Sequence, residues 1–275
     1  MSVAVVTDSA AAIPAEMAGR LGITIVPMRL SIGDDSYEEG EIPLEEVVRR
    51  FDEGVRTSGP APAAFAEAIE GAETGHGVVV LTVSERMSST HKAARLAADL
   101  RGEQARVVDT WTAAGGQALV VLAAAEAAAE GLTLDQVTAR AQKVRSHVRL
   151  VAAVDTLDYL VKGGRLPDLA GRAGRYLGVR PLFEFRAGGI KPLRPSLSRD
   201  GALDALLNHW RRSRVEGALL HLVVSHALDP ETAEYLVSGV RAEIEPATCL
   251  VESFGPVMVA HTGPGVTGLA WRWGR

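Results

Sequence analysis

Residues 3–28 read VAVVTDSAAAIPAEMAGRLGITIVPM: a short β-branched run, a helical segment and a second β-branched run. Residues 3–6 make the first strand. Pro14 stands where the first residue of a helix belongs and Gly22 where a left-handed C-terminal residue belongs, which brackets a helix before a strand over residues 23–28. Strand, helix and strand in this order form a βαβ unit of a parallel sheet. The turn after the first strand carries Thr7, Asp8 and Ser9 where a dinucleotide-binding turn carries glycines, so a pyrophosphate cannot come close to that backbone. GxxxxGK[ST], GxSxG and HExxH are likewise missing from the chain.

The alternation continues outward from this unit. Pro43 opens a helix (IPLEEVVRRF), the loop RTSGPAP follows, and residues 63–69 form a helix before an apolar strand over 77–83 that is buried on both faces. Next come the loop SERMSS, a helix over 90–100, a strand over 105–109 and an alanine-rich helix over 116–130 closed by Gly131. Thr133 and Gln136 make a capping box for one more helix, to residue 147. Residues 1–149 therefore read as a doubly wound, mostly parallel α/β domain. Asp34, Asp35, Glu38, Glu39 and Glu41 surround Gly33 and Gly40 at irregular spacing, which suits a solvated hairpin or loop rather than a metal site.

From residue 150 the pattern changes. A strand over 150–155 and a short helix (TLDYLVKGG) precede a hairpin of 181–185 and 190–193 across Ala187, Gly188 and Gly189. A helix over 201–212, a strand over 219–225, a helix capped by Asp229 with Pro230 behind it, and strands over 248–254 and 257–261 complete an α+β domain of residues 150–275.

Composition narrows the function. The 275 residues are 47% hydrophobic and 23% charged, a globular profile, and a net charge of −5 offers no general attraction to nucleic acid or anionic lipid. Cys249 is the only cysteine, which excludes an internal disulfide and a CxxC site; it reads as a small buried hydrophobe. The longest clean apolar stretch, 118–125, is too short to span a bilayer, and the N-terminus lacks a basic leader, so a cytoplasmic protein without integral membrane association is expected.

Polar residues at loop positions carry the chemistry. Thr57 and Ser58 adjoin Gly59 and Pro60; Ser84, Ser88, Ser89 and Thr90 follow the buried strand and open a helix; Arg165 follows two glycines; His261 opens HTGPG. Taken singly, these are caps, turn residues, a surface arginine and a core histidine. Together, hydroxyls and a helix N-terminus beyond the carboxyl ends of strands suit a carboxylate or phosphate. A second chemistry is a serine-dependent acyl hydrolase or acyltransferase with Ser88 as nucleophile and His261 as base, although no nucleophile elbow exposes the serine. The stretch 162–199 holds nine Lys or Arg against Asp168 and Glu184, a candidate docking face for an acidic partner.

TDS after the first strand, VRTSGPAP, SERMSST, VDTLDYLVKGGRLP and HTGPG occur in an order and spacing that resemble the DegV family of bacterial fatty-acid-binding proteins, over essentially the whole chain. The resemblance implies an α/β domain and an α+β domain enclosing a long-chain fatty acid and needing no cofactor. It implies that the carboxylate is held around Thr57, Ser58, Ser88, Ser89 and His261. It further implies that Arg165 and His261 support presentation of the carboxylate to an ATP-dependent fatty acid kinase, which makes acyl phosphate for phospholipid synthesis, so that this chain is a non-catalytic subunit. The family's TSQPS is TSGPA here, and Ser89 stands where the family has glycine. If that glycine uses a positive φ, the loop at Ser89 must shift.

Overall fold

The computed structural model describes residues 2–166 and 178–274. In chain order its first part contains β1 (Ala4–Asp8), α1 (Ala15–Leu21), β2 (Ile23–Val26), β3 (Arg29–Ile32), β4 (Asp35–Glu38), α2 (Leu44–Arg49), β5 (Val55–Ser58), α3 (Pro62–Ala72), β6 (Val78–Thr82), α4 (Thr90–Asp99), β7 (Ala105–Asp109), α5 (Ala114–Ala129) and α6 (Leu134–Arg145). There follow β8 (Arg149–Ala153), α7 (Asp158–Lys162), β9 (Leu182–Arg186), β10 (Gly189–Pro192), α8 (Arg199–Arg211), β11 (Leu219–His226), α9 (Pro230–Arg241), β12 (Thr248–Ser253), α10 (Pro256–Thr262) and β13 (Thr267–Gly274).

β2, β1, β6 and β7 form a four-stranded, wholly parallel sheet in that order. Side chains alternate across its strands, so Val5, Leu81 and Val108 join the core beneath α5 and α6, while Val6, Val78 and Val80 join the core beneath α3 and α4. Both faces are covered, as the apolar runs require. A small antiparallel sheet, β4-β3-β5, holds the acidic segment: Asp34, Asp35 and Glu38 lie on the β3–β4 hairpin, which turns at Gly33 with φ 57°. No group of three or more His, Cys, Asp or Glu among the described residues is placed to hold a metal ion.

The third sheet has the order β10-β9-β8-β13-β11-β12, with only β11 and β12 parallel. Leu269 and Trp271 pack beneath α8 and α9, while Ala270 faces α5. α5 is apolar all round, with Leu119, Val120 and Ala124 buried, because it lies between the parallel sheet and this one, packing on β1, β6, β8, β11 and β13. Its closest approach needs Gly115, where a Cβ would stand 2.7 Å from Val223 Cγ1.

Two expectations are corrected, and one strand is added. The run 257–261 is not a strand but most of α10: Pro256 takes the first helical position, and the Thr262 hydroxyl donates to the Met258 carbonyl at 2.9 Å. A short apolar run cannot separate strand from helix by itself. Thr57 and Ser58 are not in a loop but end β5, opposite Leu30 and Arg29 of β3. β13, unread in the sequence because Gly268 and Arg272 interrupt its apolar pattern, lies between β8 and β11. Cys249, on the edge strand β12, is half-buried against the α8–α9 core, and burial pushes its thiol pKa up. No helix among the described residues is long and apolar enough to cross a membrane.

Candidate functional site

A cavity of about 620 Å³ opens beyond the carboxyl end of β6. Leu150, Phe183, Phe185, Phe254, Met258 and Val266 are among its apolar walls. Thr57, Ser58, Ser88, Ser89, Arg165 and His261 all line it as well. They arrive from four places: the end of β5, the loop between β6 and α4, the residues after α7, and the last turn of α10.

These polar groups touch one another. Thr57 Oγ1 lies 2.7 Å from His261 Nε2. Burial, and next the positive charge of Arg165, push the His261 pKa down to about 4, so the ring is neutral near pH 7. Its Nδ1 is buried without a hydrogen-bond partner, and a Cβ on Gly163 would stand 3.0 Å from it, so glycine there leaves room for the ring. Ser88 Oγ is 2.8 Å from Thr90 Oγ1 and accepts from the Thr90 N–H at 3.3 Å. A Cβ on Gly59 would lie 2.6 Å from Thr90 Oγ1, which brings the β5 end against this loop. Arg165 donates from Nε to the Met87 carbonyl (3.2 Å) and from Nη1 to the Gly163 carbonyl (2.6 Å), and burial lowers its pKa. Ser89 has φ −71° and ψ −2°, right-handed helical geometry that a serine adopts without strain.

Ser84 does not line the cavity; its hydroxyl donates to the Gly188 carbonyl at 2.5 Å and ties the β9–β10 hairpin to the β6–α4 loop. The sequence reading missed a second polar group beneath the cavity. Asp8 accepts from the Val83 N–H (2.8 Å), the Ala10 N–H and the Gln117 amide (both 3.1 Å), and burial raises its pKa to about 6. Ser9 accepts from the Met28 N–H at 2.9 Å and donates to Glu39 Oε2 at 2.5 Å, while Glu39 Oε1 accepts from the Val257 N–H at 2.9 Å. Glu39 is therefore not a solvated hairpin residue: burial of its carboxylate pushes the pKa up to about 7. TDS was a visible signal, but its acidic counterpart was hidden in an acid-rich run.

The hydrolase geometry does not assemble in this arrangement. His261 Nε2 faces Thr57 rather than Ser88, and no carboxylate among the described residues orients Nδ1. Of the basic stretch, Arg180 pairs with Asp155 and Arg199 with Asp229, while Arg186 and Lys191 lie 3.8 and 3.7 Å from Glu184. Asp168, Arg172 and Arg175 lie outside the described residues.

A sequence profile described as "Uncharacterised protein, DegV family" matches residues 2–273. A DegV domain-containing protein of Streptomyces coelicolor is 38% identical over 273 residues, 97% of each chain. Among solved structures, a fatty-acid-binding DegV family protein from Thermus thermophilus superposes with a TM-score of 0.91 at 29% identity, covering 99% of this chain and 100% of that one. DegV of Bacillus subtilis, described as a fatty acid binding protein, gives 0.88 at 26% identity, with 99% of each chain covered. With the profile spanning nearly every residue and the fold shared end to end, this chain belongs to the DegV family.

Proposed function

We propose that the chain binds one long-chain fatty acid in the 620 Å³ cavity and presents its carboxylate to a separate ATP-dependent fatty acid kinase, catalysing no reaction itself. The observation that carries this reading is a single cavity with aromatic and aliphatic walls and one cluster of hydroxyls, an arginine and a neutral histidine. Its volume falls within the roughly 300–1,000 Å³ of small-molecule sites. Each buried methylene contributes about 0.8 kcal/mol, so the tail supplies most of the affinity and the polar cluster sets which end goes where.

In this reading residues 1–149 bring the hydroxyls and residues 150–275 help enclose the acyl chain. With the proton of His261 on Nε2, that N–H donates to Thr57 Oγ1 and leaves the threonine hydrogen to donate to the ligand; with Thr90 as the donor to Ser88, the serine hydrogen is likewise left for the ligand. Ser58 and Ser89 border the head group. Arg165 supplies positive charge. Phosphoryl transfer builds negative charge on the reacting oxygens, so Arg165 and His261 assist the partner's transition state more than they hold the resting acid. The protein works in the cytoplasm.

Native mass spectrometry with lipid extraction tests binding: about one fatty acid per chain is expected, and apo-protein that takes up no added C14–C18 acid overturns the carrier. Presentation is tested separately. Arg165→Ala and His261→Ala should keep the acid but fail in a coupled assay with kinase and ATP; full turnover by both removes these residues from the site. Ester hydrolysis by the chain alone, abolished by His261→Ala, would restore the hydrolase.

A further inference from the structure

α5 reaches two cavities. Ala114, in its first turn, lines the large one; Leu119, Leu122 and Glu126 line another, of about 150 Å³. Ala114 and Glu126 are about 18 Å apart along the helix axis at 1.5 Å per residue. The second cavity lies between α1, α5 and the strands β11, β12 and β13, and Arg20, His221, Thr248 and Arg272 also border it. None of these residues touches the large cavity.

We propose that this second cavity is a binding site for a small carboxylate, anchored by Arg272. Arg272 is only 6% exposed. Its ion pair with the half-exposed Glu126 is a loose one, Oε2 lying 3.8 Å from Nη2, and its Nε is buried without a hydrogen-bond partner among the described residues. His221, 8% exposed, offers no compensation. Its Nδ1 is 2.9 Å from Thr248 Oγ1, its Nε2 is buried without a partner, and burial together with the Arg272 charge holds its pKa down to about 4, so it is neutral. Arg20 adds a second positive charge at the border against the single carboxylate of Glu126.

Burying a guanidinium with an unpaired Nε and only a loose ion pair is costly, and an anion with two coplanar oxygens is the group its forked donors fit. The remaining walls select the class of anion. Met17, Leu119, Leu122 and Leu250 surround the arginine with hydrocarbon. A phosphate or sulfate would set further charged oxygens against this hydrocarbon, whereas a carboxylate pairs both oxygens with one arginine and lays its tail on the leucines. At about 150 Å³ against about 620 Å³ for the large cavity, the site takes a short-chain acid rather than a long one.

Crystals of the full chain soaked in 3-bromopropionate test this directly, because the anomalous signal of bromine locates the molecule. The expected result is a bromine peak against Leu119 and Leu122 with the carboxylate on Arg272. Bromine confined to the large cavity or the outer surface, or ordered waters alone around Arg272, overturns the proposal. Calorimetric titration with the same acid should weaken at least tenfold in Arg272→Met, and unchanged affinity in a folded variant also overturns it. Arg272→Lys keeps the charge but loses the fork, and serves if the methionine variant does not fold; an intermediate loss is expected there, and none would sink the assignment.

Discussion

Thr57 and Ser88 each carry one hydroxyl in the cavity cluster, and each is held by a neighbour rather than by solvent. Replacing either removes a donor from a carboxylate that has little water to fall back on. Thr57→Val and Ser88→Ala should each weaken fatty-acid binding by about 1–3 kcal/mol in calorimetric titration, with the circular dichroism spectrum unchanged. Thr57→Val should be the more damaging, since it also strands His261 Nε2. Parent-like binding by both would place the carboxylate elsewhere. These hydroxyls were legible in the sequence because each sits beside a glycine, a proline or a helix start, where a scaffold has little use for a run of them. Asp8 and Glu39 were not, because the bond from Val257 to Glu39 spans 218 residues and no local pattern encodes it.

α10 is a helix of seven residues that carries Val257, Met258, His261 and Thr262 to the cavity. Helices this short draw their stability from tertiary contacts rather than propensity. Glu39 supplies one, accepting the otherwise unpaired Val257 N–H, and it fits only because residue 255 is glycine: a Cβ there would overlap the Glu39 carboxylate. Glu39→Ala should therefore destabilise the protein by about 2–4 kcal/mol in urea unfolding, leaving the Ser9 hydroxyl and the Val257 N–H buried without acceptors, and should loosen ligand binding with it. Glu39→Gln, which keeps one acceptor, should fall between alanine and parent. Equal stability of all three would show that α10 is set by its apolar face alone. Elements bracketed by their own residues were readable, as with Gly22 ending α1 or the Thr133–Gln136 box opening α6. α10 and β13 were misread or missed because a distant carboxylate and two flanking strands decide them.

At the scale of the molecule, buried ionisable groups set how stability follows pH. Glu252 on β12 is buried, its Oε1 has no partner, and burial pushes its pKa from 4.5 up to about 8. The folded chain keeps this proton where the unfolded chain releases it, so the stability it contributes is complete below pH 4.5 and is lost as the pH climbs to about 8. Asp8 and Glu39 act in the same direction toward about 6 and 7. His221 and His261 act oppositely: both are held down to about 4, so their contribution is complete above 6.5 and is lost as the pH falls. Glu252→Gln has no proton to lose. Its melting temperature should match the parent's near pH 5 and exceed it increasingly toward pH 8.5; parallel curves for the two proteins would mean that Glu252 is already charged in the native state.

β13 runs between β8 and β11, yet it is the last of the described strands to be made. Every strand of the parallel sheet precedes residue 110, so on a ribosome that sheet can close while the second half is still being translated. The other sheet cannot. β8 and β11 have no edge in common and must wait, with their apolar faces open, for residues 267–274 to slide between them. A nascent chain arrested before β13 should resist protease through residue 109 and be cut between β8 and β12, and protection of both regions alike would mean that another strand fills the gap. Birth order thus gives this protein an interval in which the parallel sheet is finished and the other sheet still lacks a central strand.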